Sequence, residues 1–535
     1  MMSSPIPKSP EQSDKSKKYD RQIRLWGDHG QKLLENSKVC LINATALGTE
    51  ILKSLVLPGI GSFTIVDGEK VTEEDIGSNF FLDSDSIGMS RAQVATQCLL
   101  ELNPDVRGDY IDESPEHIMS HTQDFFNKFT VVVATALPEK TLLPLSRYLW
   151  DSKVPLIVCR SIGFLGYIRL QVKEHTVIKS HPDSENPDLR LLSPWPALKE
   201  YLDSINVEAL DKKSRAHVPS IVILYYYLNK YKELHGGNIP SSRAEKEELR
   251  KLIRDSRFHD EHGPKLLEEN FEEALHYVNN CLNPISIPQN VQKILDDDCC
   301  TNLTQSSSPF WTMCAALREF VQLEGALPLR GALPDMAADT DSYVTLQRLY
   351  HSRAQAQSEA VYRRAAQIAR NLGVAQETVT ESEVKSFCKH ASELHVIRGS
   401  CIADEYQRTS LDLSSYLEDP DSLMFYYVIL RGLERFISEF NTYPGQFDDQ
   451  VEPDVLKLKS IIGKLLAEWG CCHVVSDERV HEVCRYGGAE LHSVSAILGG
   501  CAAHEVIKLV TQQYKPLDNA FFFDAITSTS AAFCL

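Results

Sequence analysis

The turn at residues 43–48, between an apolar strand and an apolar helix, is where the sequence could first support chemistry. In nucleotide-binding α/β proteins this turn is rich in glycine, because backbone N–H groups at the helix start must approach phosphate closely. Here it reads Asn-Ala-Thr-Ala-Leu-Gly: Asn43, Thr45 and Ala46 replace the usual glycines, and Gly48 is retained. The pattern predicts the scaffold of a phosphate site without its binding loop. It disfavours a Rossmann-like dehydrogenase but leaves that alternative open.

Asp67 ends the next apolar run, followed by Gly68 and Glu69. A carboxylate at this place typically meets a ribose hydroxyl in a dinucleotide-binding protein. Without the glycines of the preceding turn, a simple capped turn is an equally good interpretation.

A second candidate lies near the N-terminus, in the stretch YDRQIRLWG at residues 19–27. Tyr19, Ile23 and Trp26 fall at helical spacing, so they can dock on one face of a helix. Arg21 and Arg24 then project away from the protein. From the residues alone, the simplest interpretation is a surface helix with an ion pair between Asp20 and Arg24.

Short apolar runs alternate with helical patterns over residues 38 to 180, which predicts a doubly wound α/β domain. The predicted strands are residues 39–43, 63–67, 129–135 and 154–161, and the predicted helices are residues 47–57, 88–102 and 138–151. The stretch 166–182 departs from this rhythm and predicts an extended, antiparallel segment that leaves the domain.

The remaining pattern divides the chain further. Residues 1–17 are polar and rich in Pro, Ser and Lys, which predicts a disordered tail. Residues 181–480 show mainly helical periodicity. The last segment, 481–535, holds one helix and one strand, too little for a domain, so we expect it to rejoin the first sheet. The prediction is one discontinuous Rossmann-like α/β domain, 18–180 with 481–535, carrying a large helical insertion.

Composition limits the class of protein. The chain has 535 residues and a net charge of −19, which argues against nucleic acid or an anionic membrane surface as a partner. No uninterrupted apolar run is long enough to cross a membrane. None of the 14 cysteines forms a C-x-x-C pair, so a zinc site is not expected in this chain. Scattered cysteines in a long chain without a signal peptide suit the cytoplasm or the nucleus.

Four stretches together resemble the adenylation fold of ubiquitin-like-protein activating enzymes, which is of the ThiF/MoeB type. They are KYDRQIRLWGDHGQKLL (18–34), VCLINATALGTEILKSLVLPGIGSFTIVDGEKV (39–71), SNFFLDSDSIGMSRAQVA (78–95) and ILGGCAAHEVIKLVTQQYKPLDNAFFFDA (497–525). The resemblance covers nearly the whole chain, including LPDMAADTDSYVTLQRLY in the helical middle. Within the family, the chain is most similar to the regulatory half of the heterodimeric neddylation-activating enzymes.

Departures from the family pattern imply which half this is, since usually only one of two paired domains holds ATP. Gly77-Ser78-Asn79 aligns with an Asn-Arg-Gln motif, so a serine replaces an arginine that contacts phosphate. Arg91 aligns with a lysine, which keeps the charge but not the geometry. Pro138 stands where an aspartate would bind Mg²⁺, and proline cannot be a ligand. The activating cysteine has no counterpart in the insertion. The resemblance therefore implies a half that neither adenylates nor forms a thioester.

The resemblance also implies partners. We expect an obligate heterodimer with a catalytic subunit that carries the Mg·ATP site, the zinc and the cysteine, and no cofactor on this chain. The heterodimer would adenylate a Nedd-type modifier and pass it as a thioester to a conjugating enzyme, with cullins as eventual acceptors. Arg21 matches a family arginine that resembles an arginine finger, reaching into the partner's ATP site. The alternatives are a pure scaffold without a catalytic contribution and a divergent, self-sufficient adenylating enzyme.

Overall fold

The computed structural model describes residues 17–182, 187–257, 268–280, 282, 286–375, 378–407 and 413–535. The predicted tail, apart from its last residue, lies outside these residues. The chain forms two compact units. The first unit combines the N-terminal part up to His175 with Val396–Leu535, and the second is Thr176–His395.

The strands are β1 (Lys38–Ile42), β2 (Ser62–Val66), β3 (Arg107–Ile111), β4 (Val131–Thr135), β5 (Leu156–Ile162), β6 (Leu165–Gln171), β7 (His175–Val177), β8 (His395–Ile397), β9 (Ala520–Asp524) and β10 (Thr529–Phe533). Eight of them form the sheet of the first unit, in the order β10-β9-β6-β5-β4-β1-β2-β3. The run from β5 to β3 is parallel, and β6, β9 and β10 are antiparallel. The short strands β7 and β8 occur where the chain passes from one unit to the other.

The central strands are apolar because helices cover both faces of the sheet. In β4 every residue is buried, and in β1 only Lys38 is exposed. Such uninterrupted apolar runs are typical of parallel strands. The predicted α/β fold is therefore confirmed. The predicted return of the C-terminal strand is confirmed as well, since β9 pairs with β6.

The helices of the first unit come from residues before and after the second unit in the sequence. They are Asp20–Asn36, Ala46–Val56, Glu73–Ser78, Arg91–Glu101, Pro115–His121, Glu139–Ser152, Ile402–Gln407, Ser414–Leu417, Met424–Phe440, Val451–Glu468, Asp477–Tyr486 and His492–Thr511. Helices Ala46–Val56 and His492–Thr511 approach each other closely at Gly499. A Cβ atom added there would lie 2.8 Å from Cβ of Glu50 and 3.1 Å from N of Ile51.

We expect Gly499→Ala to destabilise the first unit by about 1–3 kcal/mol, because the new methyl group forces the two helices apart. The adjacent Gly500 has open space around it. The matched control Gly500→Ala should therefore be neutral or stabilise by up to about 1 kcal/mol through higher helix propensity. Thermal unfolding of both variants checks this, and equal midpoints would contradict the close approach.

The helix His492–Thr511 also has the length and apolar composition of a membrane span. Its apolar side chains, among them Leu498, Ala502 and Val506, are buried in the core of the first unit. Burial within the fold thus accounts for this composition.

Residues 396–480 belong to the first unit, whereas the sequence placed them in the insertion. Helices Met424–Phe440 and Val451–Glu468 share a core with Tyr167 of β6 and Phe522 of β9. The insertion described by the structure therefore ends near residue 395 and not near 480. Helical periodicity indicated a mostly helical block over residues 181–480 but carried no information on which surface each helix covers.

The second unit is helical. Its helices are Pro196–Asp203, Lys212–Arg215, Ser220–Leu234, Arg243–Asp255, Glu269–Asn280, Gln289–Leu295, Asp298–Thr301, Pro309–Glu324, Thr340–Asn371 and Glu381–Lys389. One core of this unit forms around helix Ser220–Leu234, whose Ile221, Leu224 and Leu228 are fully buried. The longest helix, Thr340–Asn371, contributes Leu346 and Tyr350 to the same core.

Candidate functional site

The loop at residues 43–48 connects β1 to helix Ala46–Val56 and is held by its own side chains. Asn43 adopts a positive φ of 66°, and its Nδ2 donates to the carbonyl oxygen of Thr135 at 2.9 Å. Thr45 caps the helix, because its Oγ1 accepts from N of Gly48 at 3.3 Å. The Thr45 hydroxyl also donates to Oγ1 of Thr135 at 3.2 Å. The side chains that replaced glycine therefore fix the loop to the end of β4.

Backbone N–H groups that a phosphate would use already have partners in this chain. N of Ala44 donates to Oδ2 of Asp67 at 2.8 Å, and N of Leu47 donates to Oε2 of Glu490 at 3.3 Å. N of Gly48 is taken by Thr45. An anion at this helix start would have to displace the side chains of Asp67 and Glu490.

Gly48, the one retained glycine, is explained by packing. A Cβ atom at this position would lie 2.7 Å from the carbonyl oxygen of Asn43 and 3.1 Å from Leu41. The glycine therefore lets the loop close onto the first turn of the helix, and it does so without a phosphate.

Glu490 is a site residue that the sequence reasoning missed. It lies 443 residues after Leu47, in the turn before helix His492–Thr511. Burial raises the pKa of its carboxyl group to about 7, although hydrogen bonds from the loop act in the opposite direction. Its position depends on tertiary structure alone, so no local spacing in the sequence could have indicated it.

Asp67, the candidate ribose ligand, forms internal contacts. It is fully buried, and Arg91 donates to it twice, from Nε at 2.7 Å and from a terminal nitrogen at 3.2 Å. Arg91 also donates to Asp75 at 3.0 Å. Because Asp67 further accepts from N of Ala44 and N of Glu69, both its oxygens are engaged. The capped-turn interpretation fits this geometry.

The motif aligned with Asn-Arg-Gln likewise has a structural role. Ser78 is the last residue of helix Glu73–Ser78, and Asn79 is buried beneath the loop. Nδ2 of Asn79 donates to the carbonyl oxygen of Ala44 at 3.2 Å, while its Oδ1 accepts from the hydroxyl of Thr49 at 3.0 Å. Asn79 thus stabilises the loop from below.

Pro138, at the position aligned with the Mg²⁺ ligand, is the N-cap residue of helix Glu139–Ser152 and makes no side-chain capping hydrogen bond. The preceding Leu137 carbonyl accepts a hydrogen bond of 2.8 Å from Arg160. Arg160 is buried and pairs with Glu434 at 2.7 Å. The end of β4 is therefore held by a guanidinium group and presents no carboxylate at residue 138.

Arg21 lies on helix Asp20–Asn36 as its spacing predicted. Tyr19 is buried and accepts a hydrogen bond of 2.9 Å from Nδ2 of Asn103. Arg24 pairs with Asp20 at 3.0 Å, which confirms the expected surface pair. Arg21 is exposed, and among the described residues it makes no hydrogen bond or ion pair. Its guanidinium group is therefore available to a group outside this chain.

Taken as a whole, this arrangement does not fit Mg·ATP. N–H groups of the loop donate to Asp67 and Glu490, and Asp67 also accepts from Arg91. These groups therefore already have partners within the chain.

Comparison with known proteins finds a matching family and several similar proteins. A family model described as "ThiF family" matches residues 19–535. A "NEDD8-activating enzyme E1 regulatory subunit" from Xenopus laevis is 47% identical over 526 residues, covering 97% of this chain and 99% of that one. The Drosophila melanogaster protein described in the same words is 48% identical over 535 residues, covering 99% of each. Among solved structures, one of E. coli MccB matches 32% of this chain and 54% of its own, at 16% identity and a TM-score of 0.28.

Proposed function

The chain belongs to the ThiF family and, within it, to the NEDD8-activating enzyme E1 regulatory subunits, and we propose that it is the non-adenylating half of a heterodimer. The other half, a catalytic subunit, would carry the Mg·ATP site, a zinc ion and the catalytic cysteine. The heterodimer would adenylate the C-terminus of a NEDD8-type modifier. It would then hold the modifier as a thioester and transfer it to a conjugating enzyme for attachment to cullins.

The observation that carries this proposal is the internal saturation of the loop. Asp67, Thr45 and Glu490 accept the N–H groups that phosphates would need. A half that kept its own ATP site would have to leave such donors free. This geometry supports a pseudo-active half whose sheet and helices serve as a folding partner for the catalytic subunit.

Arg21 would be the one direct contribution of this chain to chemistry. A guanidinium group near the ATP phosphates stabilises negative charge that develops as the modifier's carboxylate attacks. The exposure of Arg21 and its lack of a partner among the described residues support this role. We further propose a cytoplasmic location, with the nucleus as the alternative, because the scattered cysteines suit a reducing compartment.

Pyrophosphate exchange tests the division of labour. We expect the isolated chain to give no ATP-dependent pyrophosphate exchange in the presence of modifier, because the N–H groups of Ala44, Leu47 and Gly48 already have partners within the chain. Addition of the catalytic subunit at a one-to-one ratio should restore exchange. Turnover by the isolated chain would overturn the proposal in favour of a self-sufficient adenylating enzyme.

A further inference from the structure

The carboxylate of Glu490 occupies the part of the fold where related scaffolds bind an anion. It accepts from N of Leu47 in the first turn of helix Ala46–Val56, which is 11 residues long. The N–H groups of the first helical turn have no acceptor within the helix, so a carboxyl oxygen placed there can satisfy one of them.

The turn that carries Glu490 is itself built onto the sheet. Glu490 forms a parallel bridge with Gly163, between β5 and β6, and N of Gly163 donates to the carbonyl oxygen of Ala489 at 2.7 Å. Gly163 has a φ of +54°, and an added Cβ would lie 2.2 Å from the ring of Tyr486. Backbone contacts of the turn therefore position the carboxyl group of Glu490 at the loop.

We propose that the carboxyl group of Glu490 is a built-in hydrogen-bond acceptor that holds the loop at residues 43–48 closed without any bound ligand. In an ATP-binding half, the phosphates satisfy the donors of this loop only while nucleotide is present. Here Glu490 accepts the N–H group of Leu47 without any nucleotide. Because Glu490 belongs to the C-terminal segment, this contact also joins that segment to the N-terminal part of the unit. Glu490 is a positioning residue in this scheme, and the inference does not depend on the identity of any partner subunit.

Ionisation of Glu490 gives the contact a characteristic dependence on pH. The pKa of the carboxyl group is raised from 4.5 to about 7, with burial as the main cause and with Arg91 acting weakly against it. The nearby charged groups are Glu50, one helical turn after Leu47, and its partner His492 at 3.3 Å. Between pH 4.5 and 7 the unfolded chain ionises at Glu490 while the folded chain stays protonated. Stability contributed by this group is therefore complete below pH 4.5 and is lost as the pH rises to about 7.

Hydrogen exchange tests the contact in the full chain. Glu490→Ala should raise amide exchange in peptides covering residues 43–52 and 486–492 together, on the order of tenfold, because the hydrogen bond from N of Leu47 to the carboxyl group is lost. The matched control Glu439→Ala removes an exposed carboxylate near the end of helix Met424–Phe440 and should leave both peptides unchanged. Unchanged exchange in Glu490→Ala would overturn the proposal.

The conservative variant separates a built-in hydrogen-bond acceptor from simple packing. Glu490→Gln keeps an oxygen acceptor for N of Leu47, so exchange at pH 6 should stay near the wild-type level. It removes the titration, so the fall in thermal midpoint between pH 5 and 7 should become shallower than in the wild type. A Gln variant with the wild-type pH profile would show that Glu490 is not the titrating group, and the proposal would fail.

Discussion

Replacement of Arg21 by alanine is expected to slow adenylation by the reconstituted heterodimer by about three orders of magnitude, at the lower end of the range that arginine fingers contribute to phosphoryl transfer. The reason is electrostatic: Arg21 is exposed, has no partner among the described residues and would meet phosphate charge in a site belonging to the other subunit. Single-turnover adenylate formation, followed with saturating ATP and modifier, measures the effect on the chemical step.

Arg24 is the matched control, since it lies on the same helix and pairs with Asp20 at 3.0 Å. Arg24→Ala should change the rate less than about twofold, because an exposed ion pair of this kind contributes little. Arg21→Lys should recover only part of the rate, as lysine keeps the charge without the planar fork. If Arg21→Ala assembles normally and adenylates at the wild-type rate, this chain is a scaffold with no catalytic contribution.

The core of the fold could be predicted because its signals are local. The runs that became β1, β2, β4 and β5 are short, apolar and separated by helical patterns, which is typical of buried parallel strands. The final strand β9 could be assigned to the first sheet by elimination, since one helix and one strand cannot form a core. Neither inference required knowledge of which residues meet across the fold.

The boundary of the insertion could not be predicted for a physical reason. Helix Met424–Phe440 buries Met424, Val428 and Phe436 within a core of the first unit, yet the same residues would suit any apolar neighbour. An amphipathic pattern specifies that a face is buried but not what covers it. The sequence therefore indicated a mostly helical block over residues 181–480 but assigned residues 396–480 to the insertion, whereas they belong to the first unit.

The candidate site could likewise be predicted only in part. The crowded loop followed from Asn43, Thr45 and Ala46, because glycine is needed wherever backbone must approach phosphate. The closure of that loop did not follow, since Glu490 reaches it from 443 residues away. The sequence holds one further signal of tertiary contacts: Arg160 and Arg169 interrupt the apolar runs of β5 and β6. An arginine inside a buried strand requires a buried acid, so such a position predicts a partner elsewhere in the chain.

Glu405→Gln is expected to destabilise the first unit by about 3 kcal/mol or more, because it leaves the guanidinium group of Arg169 buried without its counter-charge. Both side chains are 1% exposed, and Nε of Arg169 donates to Glu405 at 3.0 Å. The neighbouring residue provides the control: Asp404 pairs with Arg147, and those side chains are 46% and 41% exposed. Asp404→Asn should cost less than about 1 kcal/mol.

Because the chain has two compact units, the comparison is best made by urea-dependent hydrogen exchange in peptides from β5 and β6. Equal losses in the two variants would mean that burial does not set the strength of the Arg169–Glu405 pair, and that this pair does not fasten helix Ile402–Gln407 to the sheet.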